Sequence, residues 1–281
     1  MLLASYLSIP LYLKLQLLTG IKYFMPVFPN IMIKIFRPIL RQLKRVRAIN
    51  AVRRVSYASS YFNYRYGQIL SWGINSKEDT NYTYPITQDN ILYLANTVAV
   101  VLNKEVSEIL SYISEVENDH ELKNHIISET QKSDEGFNAD KRCDFGRRLG
   151  WYAFARALKP KIVVETGVDK GLGGVLLCAA LLKNQEEGFE GQYYGTDINT
   201  IAGYLISGKY ATVGKMLYGD SIESLKKFDQ KIDLFINDSD HSADYEYQEY
   251  ITIKDKMSDN AVILGDNAHC TNKLEIGRAH V

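Results

Sequence analysis

The stretch KIVVETGVDKGLGG, residues 161–174, decides the fold of this chain. Residues 162–164 form a short β-branched run of the kind that fills a buried parallel strand, and Glu165 and a group of glycines follow at once. A strand, a glycine-rich turn and a helix in this order are typical of a nucleotide-binding turn, with an anionic or adenosyl ligand at the helix start. We therefore expect a strand over residues 162–164 and a helix over residues 175–183.

The spacing of the glycines disfavours two common nucleotide-binding motifs. A phosphate-binding P-loop needs a glycine, four residues and then Gly-Lys-Ser/Thr, but neither Lys nor a hydroxyl residue follows Gly173 or Gly174. The dinucleotide fingerprint G-x-G-x-x-G is also absent, because the glycines read G-x-x-x-G-x-G-G. ATP hydrolysis is therefore not expected. Gly167 suits a tight turn, and Gly171 and Gly173 allow the backbone to approach a ligand closely.

Length and composition bound the number of domains and the compartment. The chain has 281 residues, of which 46% are hydrophobic, which suffices for one sizeable core and an appendage. The three cysteines, Cys143, Cys178 and Cys270, lack the spacing of metal or redox motifs. A reducing compartment, and hence a cytoplasmic location, is expected.

Charge is unevenly distributed along the chain, although the formal net charge is zero. Residues 1–76 contain eleven Lys and Arg and no Asp or Glu, which leaves 22 basic and 33 acidic residues from Lys77 onward. Residues 1–54 thus form a basic arm that is also strongly apolar. Lys14, Lys22 and further basic residues interrupt it before any stretch reaches the ~20 apolar residues of a transmembrane helix. It also lacks the basic n-region of a secretory signal.

The arm, residues 1–54, is predicted to lie at a membrane surface. Its aromatic residues suit the lipid interface, and its basic cluster, residues 41–54, suits anionic lipid. The alternative is packing on the protein's own body or on a second subunit of a homo-oligomer. Nucleic acid is not expected as a partner, because the body is acidic and no recognised binding motif accompanies the basic residues. The protein is thus expected in the cytoplasm, peripheral to the membrane.

Residues 55–146 are predicted to be a connector followed by a small helical region. Residues 89–102 and 105–117 have apolar positions at helical spacing. The polar residues 129–144 predict a loop before a helix over residues 146–158, which leads into the first strand. The domain that contains the glycine turn is therefore expected to begin with this last helix.

Acidic residues follow the next two predicted strands. Residues 192–195 are predicted to form a strand that ends near Asp197, whose carboxylate can accept hydrogen bonds from both hydroxyls of a ribose. Residues 216–218 are predicted to form the third strand, after which Asp220 or Ser221 caps the next helix. An ordinary turn or cap remains the alternative for both acids.

Polar residues also follow the fourth and fifth predicted strands, residues 233–237 and 261–264. In an open parallel sheet, neighbouring strands deliver their carboxyl ends to the crevice that also receives the glycine turn. Two carboxylates and one amide, with water and substrate completing the coordination, suit Mg²⁺ better than Zn²⁺. The sequence therefore predicts a magnesium site formed by Asp238, Asp266 and Asn267.

The glycine turn resembles motif I of class I S-adenosylmethionine (SAM) methyltransferases, in which an acidic residue precedes the first glycine, as Glu165 precedes Gly167. The acidic strand ends resemble those of divalent-metal-dependent O-methyltransferases of the catechol, caffeoyl-CoA and macrolide-sugar types. That family carries Lys or His as a base three residues after the acid of the fourth strand, and this position is His241. The resemblance covers about residues 147–273. A glycine-rich turn in another doubly wound protein is the alternative interpretation.

This resemblance implies a fold and a function. The fold is α/β, with a Rossmann-like, doubly wound, mostly parallel sheet and an N-terminal helical region that covers the cofactor. The implied SAM-binding residues are Glu165, Gly167, Gly171, Gly173, Asp197, Asp220 and Ser221. The implied reaction is O-methylation of a small-molecule or glycan hydroxyl, in which Mg²⁺ acidifies the hydroxyl and His241 takes its proton. A metal-independent SAM methyltransferase and a catalytically silent SAM- or nucleotide-binding scaffold are the alternatives.

The C-terminal end departs from this resemblance. The fold of the family continues after its fifth strand with a helix and two more strands, which this sequence lacks. The last six residues, IGRAHV at 276–281, resemble a translated sequencing adapter. We therefore expect residues 147–275 to form a C-terminally truncated SAM-binding domain, and residues 276–281 to have no function.

Overall fold

The computed structural model describes two main ranges of the chain. The described residues are 84–134 and 142–266, with Ala51, Leu70, Ile74, Gly136 and Ala139. The chain divides into two compact units, Met1–Ser76 and Lys77–Val281, and all elements below belong to the second. Apart from Ala51, the predictions for residues 1–54 lie outside the described residues, as do those for Asn267 and residues 276–281.

A five-stranded parallel sheet forms the centre of the second unit. Its strands are β1 (Ile162–Thr166), β2 (Gln192–Asp197), β3 (Gly214–Tyr218), β4 (Ile232–Asn237) and β5 (Met257–Gly265). The strand order is β3-β2-β1-β4-β5, so the chain winds outward from β1 to β3 and then returns to β4 beside β1. The predicted Rossmann-like, doubly wound α/β fold is confirmed, and its topological switch point lies between β1 and β4.

Seven α-helices accompany the sheet in the described part of the chain. They are α1 (Gln88–Leu102), α2 (Val106–Glu117), α3 (His120–Lys132), α4 (Leu149–Leu158), α5 (Leu172–Glu186), α6 (Ser221–Lys227) and α7 (Ala243–Ile253). The first two pack on α4, which packs on α5, whereas α6 packs on α7. Within the described ranges, no helix has both the length and the hydrophobicity of a bilayer-spanning segment.

The strands send alternate side chains into two hydrophobic cores. In β1, Val163 belongs to the core on the α5 side, and Ile162 and Val164 belong to the core on the side of α6 and α7. Every residue of β1 is buried, as expected of a central parallel strand that is covered on both faces. The sheet is therefore the middle layer of three, with helices on both sides.

Helix α3 corrects the prediction of a loop over residues 129–144, because it runs into that stretch. Its buried face consists of Leu122, Ile126 and Thr130, which polar and charged residues separate. Asp119 caps its start by accepting a hydrogen bond from the Leu122 amide at 2.9 Å. A helix with so few apolar positions gives a weak periodic signal.

Helix α7 is not predicted from the sequence at all, and its buried residues explain why. Its buried face consists of Glu246, Glu249 and Ile253. Two of these three side chains are carboxylic acids, so no apolar stripe marks the helix. The chain therefore buries polar groups beside the carboxyl end of β4.

The other predicted elements coincide with observed ones, but some are longer and some shorter than predicted. Strand β5 begins at Met257 rather than at residue 261, and α5 begins at Leu172 rather than at residue 175. The start of β5 is polar and the first turn of α5 is glycine-rich, so neither shows an apolar pattern. Strand and helix cores could thus be predicted, and their ends could not.

Arg156 links three helices through a buried network of ion pairs and hydrogen bonds. Its guanidinium donates to Glu115 of α2 at 2.8 Å and to Glu187, just after α5, at 2.6 Å. It also donates to the side chain of Asn184 in α5, and Tyr152 of α4 donates to the same Glu115 at 2.5 Å. One cation therefore holds α2, α4 and the C-terminal end of α5 together.

Replacing Arg156 by alanine should lower the free energy of unfolding by about 3–5 kcal/mol, because several partly buried partners lose their cation. Arg142 is the matched control, since its side chain is 73% exposed whereas that of Arg156 is 3% exposed. Arg142→Ala should cost at most ~1 kcal/mol. Urea denaturation measures both changes, and equal losses would contradict a structural role for the network.

Candidate functional site

The carboxyl ends of the central strands lie level at one edge of the sheet. The amide of Asp238 donates to the last residue of β1 at 3.0 Å, and the amide of Asp266 donates to the last residue of β4 at 2.8 Å. The amide of Gly167 likewise donates to the carbonyl of Thr196 in β2 at 2.9 Å. These bonds continue the sheet by one residue, so the residues that follow β1, β4 and β5 emerge side by side at the switch point.

The turn after β1 depends on Gly167 and Gly171, whose φ angles are 76° and 94°. A Cβ atom on Gly167 would lie 2.0 Å from the carbonyl oxygen of Asp238, so this turn and the loop after β4 are in backbone contact. Gly171 is the N-cap of α5, and no side chain caps this helix. The amides of its first turn can therefore bind an anionic group.

Glu165 and Gly173 lie beneath this turn, in the core. The carboxyl group of Glu165 is buried and accepts a hydrogen bond from the Tyr193 hydroxyl at 2.6 Å. A Cβ atom on Gly173 would lie 2.3 Å from the ring of Trp151 and 2.7 Å from Oε1 of Glu165. Gly173 thus makes room for two side chains, whereas the sequence predicts close approach of a ligand. Burial raises the pKa of Glu165 to about 7, although the hydrogen bond from Tyr193 lowers it.

Asp197, the predicted ribose ligand, ends β2 next to the glycine turn. Its carboxylate accepts hydrogen bonds from the amide of Asp169 at 2.9 Å and from the amide of Asn199 at 2.8 Å. Ile198 and Ile201 are exposed beside it. A carboxylate has further acceptor positions, so this corner combines hydrogen-bond acceptors with an apolar surface, as a nucleoside requires.

Asp220 and Ser221, both predicted to bind the cofactor, lie at different depths. Asp220 caps α6 by accepting a hydrogen bond from the amide of Glu223 at 2.9 Å, and its other oxygen accepts one from the hydroxyl of Tyr245 at 2.9 Å. Ser221 is buried, and its hydroxyl donates to the carboxyl group of Glu249. Asp220 is therefore at the edge of the site, and Ser221 lies beneath it.

Asp238 and Asp266 come together at the ends of β4 and β5, and we call them the acidic pair. Their side chains are largely buried, and the two carboxyl groups are close enough to interact. Burial, followed by the charges of Asp266 and Glu165, raises the pKa of Asp238 to about 9. The two carboxyl groups therefore meet at a position where ionisation of Asp238 is disfavoured.

Three basic side chains surround the acidic pair. Nη2 of Arg148 lies 4.0 Å from Oδ2 of Asp238, and Nη2 of Arg147 lies 3.9 Å from Oδ1 of Asp266. Nε2 of His241 lies 3.9 Å from Oδ1 of Asp238, and its side chain is 41% exposed. These distances exceed those of hydrogen bonds, and the two guanidinium groups interact with the acidic pair through their charge. His241 is accessible to solvent, as a base must be.

Two of the three predicted magnesium ligands, Asp238 and Asp266, lie within the described residues. The third, Asn267, lies outside the described residues. Within residues 84–134 and 142–266, no group of three or more His, Cys, Asp and Glu side chains is arranged to hold a metal ion. Mg²⁺ is usually bound by one or two carboxylates and keeps several waters. The acidic pair fits such an ion in the type of its donors.

Sequence reasoning misses Arg147, Arg148 and Glu249. The signal that could have revealed the two arginines is their position just before the helix that leads into β1. No comparable signal marks Glu249, because its helix has no apolar stripe. All three matter only through contacts between distant parts of the chain.

The fold and the edge of the sheet define a doubly wound α/β domain with a nucleotide-type ligand site at its switch point. Residues 164–268 match the model of a family described as a methyltransferase domain. This match confirms the predicted class of enzyme, a SAM-dependent methyltransferase. No curated protein sequence matches the chain.

Solved structures that resemble this chain include three methyltransferases. The methyltransferase PaMTH1 of Podospora anserina, bound to S-adenosylhomocysteine (SAH), is 16% identical with a TM-score of 0.43, over 70% of this chain and 88% of that chain. The O-methyltransferase TomG of Streptomyces achromogenes in complex with SAM is 14% identical with a TM-score of 0.40, over 69% of this chain and 85% of that chain. The O-methyltransferase of Bacillus cereus in complex with SAH is 15% identical with a TM-score of 0.35, over 68% of this chain and 84% of that chain. Similarity at this level assigns no function to this chain.

Gly167→Ala should destabilise the protein more than an alanine at another glycine of positive φ, because its Cβ atom would displace the backbone of Asp238. Gly188 is the matched control, since its φ is 89° and nothing lies within 4 Å of its Cβ position. Gly188→Ala should cost about 1–2 kcal/mol of unfolding free energy, and Gly167→Ala about 1–3 kcal/mol more. Chemical denaturation measures both, and equal costs would show that the contact does not constrain the turn.

Glu165→Gln should weaken the dependence of stability on pH. The pKa of Glu165 rises from an ordinary value of 4.5 to about 7 on folding, so the folded state holds the proton more tightly. Its contribution to stability is therefore complete below pH 4.5 and is lost as the pH rises through 7. Melting temperatures recorded across this window should fall less steeply for the variant than for the wild type. Parallel curves would assign the pH dependence to other groups.

Proposed function

We propose that this chain transfers the methyl group of SAM to a hydroxyl oxygen of an acceptor, assisted by Mg²⁺ at the acidic pair. The observation that carries this proposal is the convergence of the acidic pair and His241 at the switch point. There the loop of Asp238 is in backbone contact with the glycine turn. A methyl donor bound at the turn and an acceptor bound at the acidic pair would thus be neighbours.

Three groups at the edge are proposed to bind SAM, which supplies an electrophilic methyl group on a sulfonium centre. The first turn of α5, reached through Gly167 and Gly171, would bind the carboxylate of its amino-acid part. Asp197 would accept hydrogen bonds from the ribose hydroxyls, and Asp220 would lie near the adenine amino group. The predicted ligands Glu165, Gly173 and Ser221 lie one layer deeper, so we propose that they support these groups from below.

His241 is the proposed general base. It lies on the loop that follows Asp238 and is accessible, and an imidazole is suited to proton transfer near neutral pH. It would accept the proton of the acceptor hydroxyl. A bound Mg²⁺ ion, held by Asp238, Asp266 and Asn267, would lower the pKa of that hydroxyl. The remaining requirement is orientation of the acceptor oxygen in line with the methyl group.

A metal-independent methyltransferase is the second candidate, and the two arginines favour it. Arg147 and Arg148 each place a guanidinium within about 4 Å of a carboxylate of the acidic pair. Their positive charges act where the charge of a metal ion would act. In this alternative the acidic pair and the arginines orient the acceptor, and His241 takes the proton without metal assistance.

The acceptor and the partners are proposed from the sequence alone. A small-molecule or glycan hydroxyl is the proposed acceptor. We also propose a cytoplasmic location, attachment of residues 1–54 to a membrane surface and, as the alternative for this arm, a homo-oligomer contact. The arm itself lies, except for Ala51, outside the described residues.

Calorimetric titration of the full chain with SAH, in Mg²⁺ and again in EDTA, tests the proposal. SAH should bind with micromolar affinity, and Mg²⁺ should give a separate heat that Asp238→Asn abolishes, because the amide removes one anionic ligand. With radiolabelled SAM and a panel of hydroxylated acceptors, His241→Ala should lower the rate by about 10²–10⁴-fold.

His120, an exposed histidine at the start of α3, is the control for the base. His120→Ala should retain the wild-type rate. Full activity in EDTA would favour the metal-independent alternative. Absence of SAH binding by the folded wild-type protein would overturn the proposed function.

A further inference from the structure

Glu249 of α7 is a fully buried carboxyl group surrounded by hydrogen-bond donors. Its exposed fraction is 0%. Its partners are the side chains of Thr166, Ser221, Asn237 and Ser239. The hydroxyl of Ser239 donates at 2.8 Å and that of Thr166 at 3.4 Å. A buried carboxyl group is costly unless donors surround it in this way, so the position of Glu249 and those of its donors depend on one another.

Two of the donors flank Asp238 of the acidic pair. Asn237 precedes it and Ser239 follows it, and both donate to the same carboxyl oxygen, Oε2. The backbone of Asp238 is therefore held from both sides by Glu249. The carbonyl oxygen of Asp238 is in contact with Gly167, so a shift of this loop would displace the glycine turn.

The other two donors extend this arrangement to the neighbouring loops. Thr166 directly precedes Gly167, and Ser221 directly follows Asp220. Each donor is thus adjacent in sequence to a residue proposed to bind the cofactor or the metal. One carboxyl group therefore connects the loops after β1, β3 and β4.

We propose that Glu249 is a positioning residue that fixes the distance between the SAM-binding turn and the acidic pair. The inference rests on the proposed function, because it assigns Glu249 the task of aligning donor and acceptor. Glu249 touches neither ligand and acts through the backbone of Asp238 and Gly167. Displacements of about 1 Å in such an arrangement can lower a rate 10²-fold.

Glu246 provides a matched control on the same helix. It is also buried, with an exposed fraction of 4%, and its carboxyl group accepts a hydrogen bond from Tyr250 at 2.8 Å. Tyr250 packs against the core on the side of α6 and α7. Glu246→Gln and Glu249→Gln therefore make the same chemical change at similar burial, and the second removes a carboxylate bonded to the loops of the site.

The experiment compares both variants with the wild type by melting temperature, SAH titration and steady-state methyl transfer. Glu249→Gln should raise the Kd of SAH by about tenfold or more and lower kcat by about 10–10²-fold, because misplacement affects alignment. Glu246→Gln should keep the Kd of SAH and kcat within about twofold of the wild-type values, even if its melting temperature falls as much as that of Glu249→Gln. Equal functional losses in the two variants at equal stability would overturn the inference.

Ser239→Ala keeps the test decisive if Glu249→Gln does not fold, because it removes one donor and should by itself raise the Kd of SAH by about threefold. If Glu249→Gln does fold, the two effects should not add in the double mutant. Wild-type binding together with unchanged affinity in the folded variants would overturn the role of Glu249 and leave the proposed function standing. Absence of binding by the wild type would overturn the proposed function, and this inference with it.

Discussion

The parallel register at the carboxyl edge of the sheet is the constraint on which the candidate site depends. Thr166 pairs with Thr196 on one side and with Asn237 on the other, so the three central strands end level. The residue after each strand must then emerge at this edge, however far apart these residues are in sequence. This is how the turn at Gly167 and the loop at Asp238 come into backbone contact. The register thus brings together two parts of the candidate site that lie far apart in the sequence.

Buried carboxyl groups dominate the electrostatics of this edge. Burial is the largest cause of the raised pKa of Glu165, Asp238 and Glu249 alike. Hydrogen bonds lower the pKa of Glu165 and Glu249, whereas the charge of the nearby Arg148 lowers that of Asp238. A ligand that carries positive charge would favour the ionised form of these carboxyl groups. The sulfonium of SAM and a divalent cation both satisfy that condition, so the electrostatics and the proposed chemistry agree.

The parts of the site that directly follow a strand could be predicted from the sequence, because a hydrophobic run ending in an acid is a local pattern. Asp197, Asp238 and Asp266 could be predicted in this way. What a residue touches across the fold could not be predicted. Gly173 makes room for the side chains of Trp151 and Glu165 and not for a ligand. The order of the glycines does not show whether a glycine contacts a ligand or the protein's own side chains. The arginines beside the acidic pair also depend on how α4 packs, which no local pattern encodes.

Helix α7 illustrates why such contacts are both hard to predict and structurally informative. Apolar contacts are nearly isotropic, so a residue such as Ile253 can hold the helix against the sheet without fixing its rotation. Hydrogen bonds are directional, and those that reach Glu249 are satisfied in one rotation and one axial position of the helix. The buried polar residues leave α7 without apolar periodicity, and the same residues therefore define its orientation. Because their donors sit beside Gly167 and Asp238, that orientation is transmitted to the two halves of the site.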